Sequence, residues 1–475
     1  MKIKGRRIKS IIVIIFSTVF LAFLFYFGES KAFSLSIDEE QILGEQFLAN
    51  VRKHFDLVDD DFANEYINDL GHYLIKPLKT KPFPFRFYIV KDNDLNAFAG
   101  PGGYVFMNRG LIEIMDDEGE LASILSHEIA HVQSRHIAQR IARAKKLNFA
   151  AIGGLLAGIL LGGEAGAAIL TGSQAGATQA MLNSSRQDEE EADRRGLRYL
   201  EATGYEGRDF VTIMRKMGQD SWKMGGHVPT YLLTHPAVPE RVAYLSTTVQ
   251  TRPKPPKVRI KDHESFLLMQ AKLYGSYEIP KEAKVKFQEW LGQDETKAMG
   301  YYGMGMVLRR QRDMDEAVKS FQRAIALRPD LYPILVELGY TYFQMGKIDN
   351  AISVLESALT LAPDHPVALY GMGRCMLEQE RAAEASKYLA RAAQLNDRLP
   401  QIHYYLGLAY GKMNQLGEAH YQFGIHYLRS GSLSNAVFHY EEALRHQLRP
   451  DQRAAIEKRL AVLKKQKRAA RREKK

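Results

Sequence analysis

The chain has 475 residues, of which 25% are charged and 45% hydrophobic, an ordinary globular balance over a length that calls for two or three domains rather than one core. The net charge of +10 is concentrated in basic runs near the two ends, Lys2 to Lys9 and Lys464 to Lys475. These read as solvated ends, with contact to an anionic membrane surface left open and no nucleic-acid partner expected. A single cysteine, Cys375, excludes an intramolecular disulfide.

Five basic residues precede the uncharged apolar run Ile11 to Phe27, and Ser30-Lys31-Ala32 places small residues where a signal peptidase needs them. Residues 1–32 are therefore read as a cleaved signal peptide rather than a retained anchor, since the run is at the short limit for a bilayer span. The chain beyond Ala32 is expected to be exported, and no cysteine near the cleavage point offers a lipid attachment site.

Residues 33–250 read as one α+β domain, mostly helical with a small sheet. Ile37 to Leu57 is amphipathic and helical, and Pro84 to Lys91 alternates as a strand. Asn96 to Arg109 reads as two strands joined by a Pro-Gly-Gly turn, a segment that either supplies an edge for pairing with an extended peptide or forms an internal hairpin. Asp117 to Lys146 reads as one long helix and Arg186 to Ala202 as another. Between them, 149–180 is rich in Gly, Ala, Leu and Ile and is read as a lid or buried hairpin in preference to a membrane insertion.

Residues 251–262, which open Thr-Arg-Pro-Lys-Pro-Pro-Lys, form a stiff linker. In 263–448, Gly305, Gly339, Gly373 and Gly407 recur at a step of 34, as do Ala317, Ala351, Ala385 and Ala419, and Phe321, Leu355, Leu389 and Phe423. A 34-residue period with small residues where helices touch predicts an all-α tetratricopeptide-repeat solenoid. Phe266 to Leu291 adds a preceding helical pair. The fourth unit departs where His426 stands in place of the alanine seen as Ala324, Ala358 and Ala392. Residues 449–475 form a basic helical tail.

Chemistry concentrates in Ser126 to His136. His127 and His131 are four residues apart, hence on one face of a helix, with Glu128 beside them able to reach a metal-bound water. This is the H-E-x-x-H arrangement of zinc peptidases. A third histidine at the longer spacing is ruled out by Ser134 and Ile137, and His136 lies off the metal face by helical angle. Catalytic zinc takes three protein ligands and an open position. In Asp188 to Asp193, Glu190 can pair with Arg194 and Glu191 with Arg195, whereas Glu189 faces the like-charged Asp193 one turn on. A cation relieves that repulsion, so Glu189 is expected as the third ligand, with Asp193 accepting the free ring N–H of a ligating histidine. The same reading gives one zinc per chain and Glu128 as general base.

His-Glu-Ile-Ala-His at 127–131, Ser185 to Asp193 and Thr234-His235-Pro236 through Arg241 together resemble the zinc metallopeptidases that include the CAAX prenyl protease and the HtpX heat-shock protease. The layout of signal peptide, zincin-like domain and C-terminal repeats is most similar to the periplasmic β-barrel assembly-enhancing proteases of Gram-negative bacteria. The resemblance implies His127, His131 and Glu189 as zinc ligands, Glu128 as base, and roles for His235 and Arg241. His235 is left with two roles, a cap on the fourth zinc position or an oxyanion donor, and Arg241 supports either. The resemblance also implies a periplasmic endopeptidase. Its substrates would be unfolded or misassembled envelope proteins, and its repeats would dock on outer-membrane assembly machinery. The alternative is a chaperone or assembly scaffold with restrained proteolysis.

Overall fold

Partial alternation in Arg86–Val90 (β1) and the fully buried, mostly apolar run Tyr104–Asn108 (β3) build a three-stranded sheet in the order β1-β3-β2, with Ala97–Ala99 as β2 at one edge. β1 runs parallel to β3, Arg86 opposite Tyr104 and Val90 opposite Asn108, while β2 is antiparallel, Phe98 opposite Phe106. The Pro-Gly-Gly link requires its glycines. Gly102 and Gly103 adopt φ of 74° and 90°, and a Cβ on Gly103 would lie 2.6 Å from the Pro84 carbonyl oxygen. These features belong to a computed structural model, which describes residues 35–143, 185–223, 229–235, 238–252, 258–397, 399 and 401–473. The expected signal peptide and the Gly/Ala-rich segment 149–180 lie outside the described residues.

Two compact units emerge: the chain through Asp262 without Asp60–Ala63, and His263–Lys475 together with those four residues. In the first unit, Ile37–His54 (α1) is started by a reciprocal Ser36–Glu39 capping box. It lays Phe47 against Phe98 and Phe106 of the sheet at ring separations of 6.4 and 5.7 Å. Asp61–Leu74 (α2) precedes the sheet, and Arg109–Glu113 (α3) comes after it. Glu118–Gln133 (α4) begins at Asp117, whose side chain accepts from the Gly119 and Glu120 amides.

The single helix expected over 117–146 is broken. Arg135 sits at φ 54°, and His136–Arg143 (α5) starts anew. Arg135 in this left-handed conformation donates to Glu40 and to the Leu35 carbonyl, partners that an uninterrupted helix would not reach. Arg186–Ala202 (α6), Gly207–Lys223 (α7), Thr230–Thr234 (α8) and Val238–Thr251 (α9) complete the described helices of this unit. No helix among the described residues is long and apolar enough to cross a membrane.

The second unit is a run of antiparallel helix pairs. His263–Tyr277 (α10) and Pro280–Leu291 (α11) form the preceding pair. They are followed by Lys297–Arg310 (α12), Met314–Leu327 (α13), Tyr332–Gln344 (α14), Ile348–Leu361 (α15), Pro366–Glu378 (α16), Ala382–Leu395 (α17), Ile402–Lys412 (α18) and Leu416–Arg429 (α19). Leu433–Leu444 (α20) and Pro450–Glu473 (α21) end the unit. The 34-residue markers meet one another. A Cβ on Gly305, Gly339, Gly373 or Gly407 would lie 2.8, 2.7, 2.5 or 2.9 Å from the side chain of Phe321, Leu355, Leu389 or Phe423 respectively. Each glycine thus admits the large apolar side chain of its own unit's second helix, and the buried alanines keep the pair close.

His365 caps α16 by accepting from the Ala368 amide at 3.3 Å, which requires a neutral ring. Burial, then the charge of Lys272, pushes its pKa down to about 4. A depressed histidine pKa leaves stability intact above the unfolded value of 6.5 and removes it as pH falls from there toward about 4. Thermal unfolding of the full chain at pH 7 and pH 5 is expected to show an acid-induced loss that His365→Asn, which keeps a cap but does not titrate, reduces by about 1 kcal/mol.

Candidate metal centre

Helix α4 is buried on nearly every side, from Glu118 to Val132. An all-round buried helix is ordinarily apolar, yet this one carries Ser126, His127, Glu128 and His131 at 0–2% exposure. Helix α6 packs directly on it. At Gly196 the backbones approach so closely that a Cβ would stand 3.0 Å from His127 Cα and 3.0 Å from the Ser126 carbonyl oxygen. Glu189, Asp193 and Gly196 keep i, i+4, i+7 spacing, so the glycine that permits contact brings both carboxylates to the histidines. The short helix α8 ends at His235, whose amide donates to the Tyr231 carbonyl at 2.8 Å, and α9 brings in Arg241.

The His127 and His131 Nε2 atoms stand 3.0 Å apart. Glu189 Oε2 lies 3.4 Å from the first and Oε1 3.4 Å from the second. His235 Nδ1 lies 3.1 and 3.0 Å from the two Glu189 oxygens. One donor atom from each of these four buried residues falls within 4.8 Å of all the others. Ligands about 2.0–2.2 Å from a tetrahedral zinc stand roughly 3.3–3.6 Å apart, so the donor set and its spacing fit a single zinc ion. Glu128 is fully buried beside it. Neither of its carboxylate oxygens has a hydrogen-bond partner among the described residues, and His235 Nε2 stands 3.7 Å from Oε1.

Outer partners hold these groups. His127 Nδ1 is 3.0 Å from Asp193 Oδ1. His131 Nδ1 is 2.9 Å from His136 Nδ1, and His136 Nε2 faces Glu191 at 3.5 Å. Such contacts fix a ring's orientation and the nitrogen it presents. His136 reaches this place because the chain turns at Arg135, and an unbroken helix, as expected from the sequence, would have carried it away. Arg241 grips both Asp193 oxygens at 2.8 and 2.7 Å, Glu189 Oε2 at 2.8 Å and the His235 carbonyl at 3.5 Å. The cation that the Glu189–Asp193 repulsion demands is therefore already present in the protein as a guanidinium. The surface pairs Glu190–Arg194 and Glu191–Arg195 stand at 3.9 and 2.8 Å.

Burial opposes charge on His127, His131, Glu189 and Asp193, and the partners decide the outcome. Burial opposes a charged His127, but the Asp193 and Glu189 carboxylates push its pKa up to about 9. For His131, burial dominates and holds the pKa well below its ordinary value. Burial also opposes an ionised Glu189, but His235, Arg241 and His131 hold its carboxyl well below the usual range, and against burial Arg241 lowers that of Asp193. The carboxylates are thus ionised acceptors at neutral pH.

Two contributors carry no clear mark in the sequence. Gly196 is one glycine among 37, and nothing local distinguishes it. Tyr231, four residues before His235, stacks its ring on the His235 imidazole at 4.4 Å and 24°, and only the i, i+4 spacing hints at that.

The model of peptidase family M48 matches residues 62–249, and tetratricopeptide-repeat models match 298–331 and 342–409. The β-barrel assembly-enhancing protease of Escherichia coli (strain K12) is 30% identical over 376 residues, 77% of this chain and 75% of the relative. That of Yersinia pestis is 29% identical over 367 residues, with the same coverage. The mitochondrial metalloendopeptidase OMA1 of Arabidopsis thaliana is 28% identical over 209 residues, 44% of this chain and 37% of the relative.

Gly196→Ala inserts a methyl group against backbone that has no rotamer with which to yield. It is expected to destabilise the chain by about 1–3 kcal/mol and to lower zinc retention on dialysis against a chelator, because Glu189 and Asp193 move with the helix. Unchanged retention would show that the α4–α6 contact does not set the cluster.

Proposed function

The chain belongs to peptidase family M48, with the β-barrel assembly-enhancing proteases among its relatives, and from that premise we propose an exported periplasmic endopeptidase that degrades misfolded or stalled envelope proteins and assists outer-membrane protein assembly. The chain is a zinc metallopeptidase with tetratricopeptide repeats. The observation that carries the catalytic part of the proposal is the convergence of His127, His131, Glu189 and His235 beside a Glu128 carboxylate with no hydrogen-bond partner among the described residues. The assembly role is supported by the relatives' names, and the periplasmic site of action by the export signal expected in residues 1–32.

In this reading His127, His131 and Glu189 would hold the zinc, and His235 would cap it at rest. When bound, zinc supplies Lewis-acid polarisation of a carbonyl and lowers the pKa of water toward neutrality. Glu128 accepts the proton of the attacking water and returns it to the amide nitrogen as the C–N bond breaks. Asp193 and His136 hold the two α4 imidazoles in their tautomers, and Arg241 fixes Asp193, Glu189 and the His235 backbone. The Asn108 amide donates to Asn96 and the Gly100 amide to Tyr104, so by antiparallel alternation Ala97 and Ala99 direct their N–H and C=O away from β3. That outer edge of β2, a strand that packs on α4, is the candidate for pairing with an extended substrate chain.

A scaffold role is favoured by the repeat unit's first helices. Tyr340 and Tyr404 are 42% and 36% exposed, and Arg374 lies over the Phe343 and Tyr405 rings at 4.5 and 4.3 Å. Such aromatic and arginine side chains are frequent anchors of protein partners. Loss of the biological effect on truncation near Lys257 but not in Glu128→Gln would favour the scaffold.

His127→Ala, His131→Ala and Glu189→Ala are each expected to lose the zinc, measured by mass spectrometry of the metal, while Glu190→Ala keeps it. Equal loss in Glu190→Ala would overturn the assignment. Glu128→Gln is expected to retain zinc and fold but lose peptide cleavage, and wild-type turnover would place the base elsewhere. If His235 caps the ion, His235→Ala raises cleavage of unfolded casein. A fall of ~10²-fold would instead make it an oxyanion donor.

A further inference from the structure

Tyr231 occupies the innermost position in the cluster that the hydrolytic mechanism leaves without a task. Its amide donates to the Leu95 carbonyl at 3.0 Å, tying α8 to the residues just before the edge strand β2. Its ring lies flat on His235, and its side chain is fully buried. The hydroxyl has no hydrogen-bond partner among the described residues. The charged groups around it are those of the metal centre itself: Arg241, Glu128, Glu189 and Asp193. A buried phenol without a partner is a standing penalty to the fold, and Phe would fill the same space with the same ring stacking and no penalty. The other strong donor at the centre, Arg241, is committed to Asp193 and Glu189. Two sets of unsatisfied oxygens therefore sit in one water-poor site, the Glu128 acceptors and the Tyr231 donor. They are complementary to what peptide hydrolysis brings in: a water that loses a proton and a carbonyl oxygen that gains charge.

We infer that Tyr231 is a catalytic residue whose hydroxyl donates a hydrogen bond to the carbonyl oxygen of the scissile peptide as water adds to its carbon. The step balances within the site. The water oxygen forms the new C–O bond, its proton passes to Glu128, and the carbonyl π pair moves onto the oxygen that Tyr231 faces. When that pair re-forms the carbonyl, the C–N bond breaks and the proton on Glu128 goes to the nitrogen. The phenol keeps its own proton throughout. The assignment rests on the peptidase reading of the centre and deepens it. It leaves His235 to act as the cap and gives the oxyanion a donor that the H-E-x-x-H motif does not contain.

The test compares the full-length wild type, Tyr231→Phe and Glu128→Gln on an internally quenched casein-derived peptide. Metal content, thermal unfolding and the affinity of a phosphinic peptide that mimics the tetrahedral carbon are measured alongside. Tyr231→Phe is expected to keep one zinc and to unfold at or above the wild-type temperature. Its kcat should fall by ~10²-fold, with phosphinic-peptide affinity falling by a similar factor, the scale of one lost oxyanion donor. Wild-type kcat and inhibitor affinity in Tyr231→Phe, with Glu128→Gln inactive, would overturn the assignment while sparing the peptidase reading. A lower unfolding temperature or lost zinc in Tyr231→Phe would also overturn it, by showing that the hydroxyl is structural. Full activity in Glu128→Gln would overturn the underlying reading itself.

Discussion

Helix α4 runs through the interior carrying two imidazoles and a carboxylate, and the rest of the peptidase unit is arranged around the problem this creates. Ionised or half-paired groups in a low-dielectric interior cost several kcal/mol each unless neighbours compensate. Asp193 and Glu189 compensate His127, Arg241 compensates both carboxylates, and His136 completes His131. Among the described residues Glu128 has no hydrogen-bond partner and only the His235 imidazole 3.7 Å away.

Compensation works only if two helices meet at backbone distance, and Gly196 is where they do. The same device serves the repeats for a different end. There a glycine every 34 residues admits one large apolar side chain from the partner helix, and repetition turns a weak pair into a continuous core. In the peptidase unit the glycine occurs once and brings charge rather than hydrocarbon to its neighbour.

The like-charge pair Glu189–Asp193 shows how an inference from local pattern can rest on an incomplete reason. A cation must lie on that face, and from the local pattern a metal ion is the natural candidate. The folded chain supplies one cation of its own, because α9 returns Arg241 from 48 residues away to bind both carboxylates. What the imidazoles add is a set of lone pairs that a guanidinium cannot use, so the centre keeps a fixed internal cation beside a donor set that could hold one metal ion.

Periodicity alone determined the main outline. A period of 34 specified helix pairs, alternation specified β1, Pro-Gly-Gly specified the turn, and i, i+4 spacing put His127 and His131 on one face. These are properties of the backbone's own geometry, so a local pattern suffices to show them. Only the tertiary structure decided the break at Arg135, the seating of His136 on His131, the close approach at Gly196 and the stacking of Tyr231 on His235. Each depends on where a distant segment returns: Arg135 is held by Glu40 and Leu35, and Tyr231 by Leu95. Such partners have no fixed spacing along the chain, because folding brings them together through side-chain packing and charge compensation rather than through the repeat of a helix or a strand.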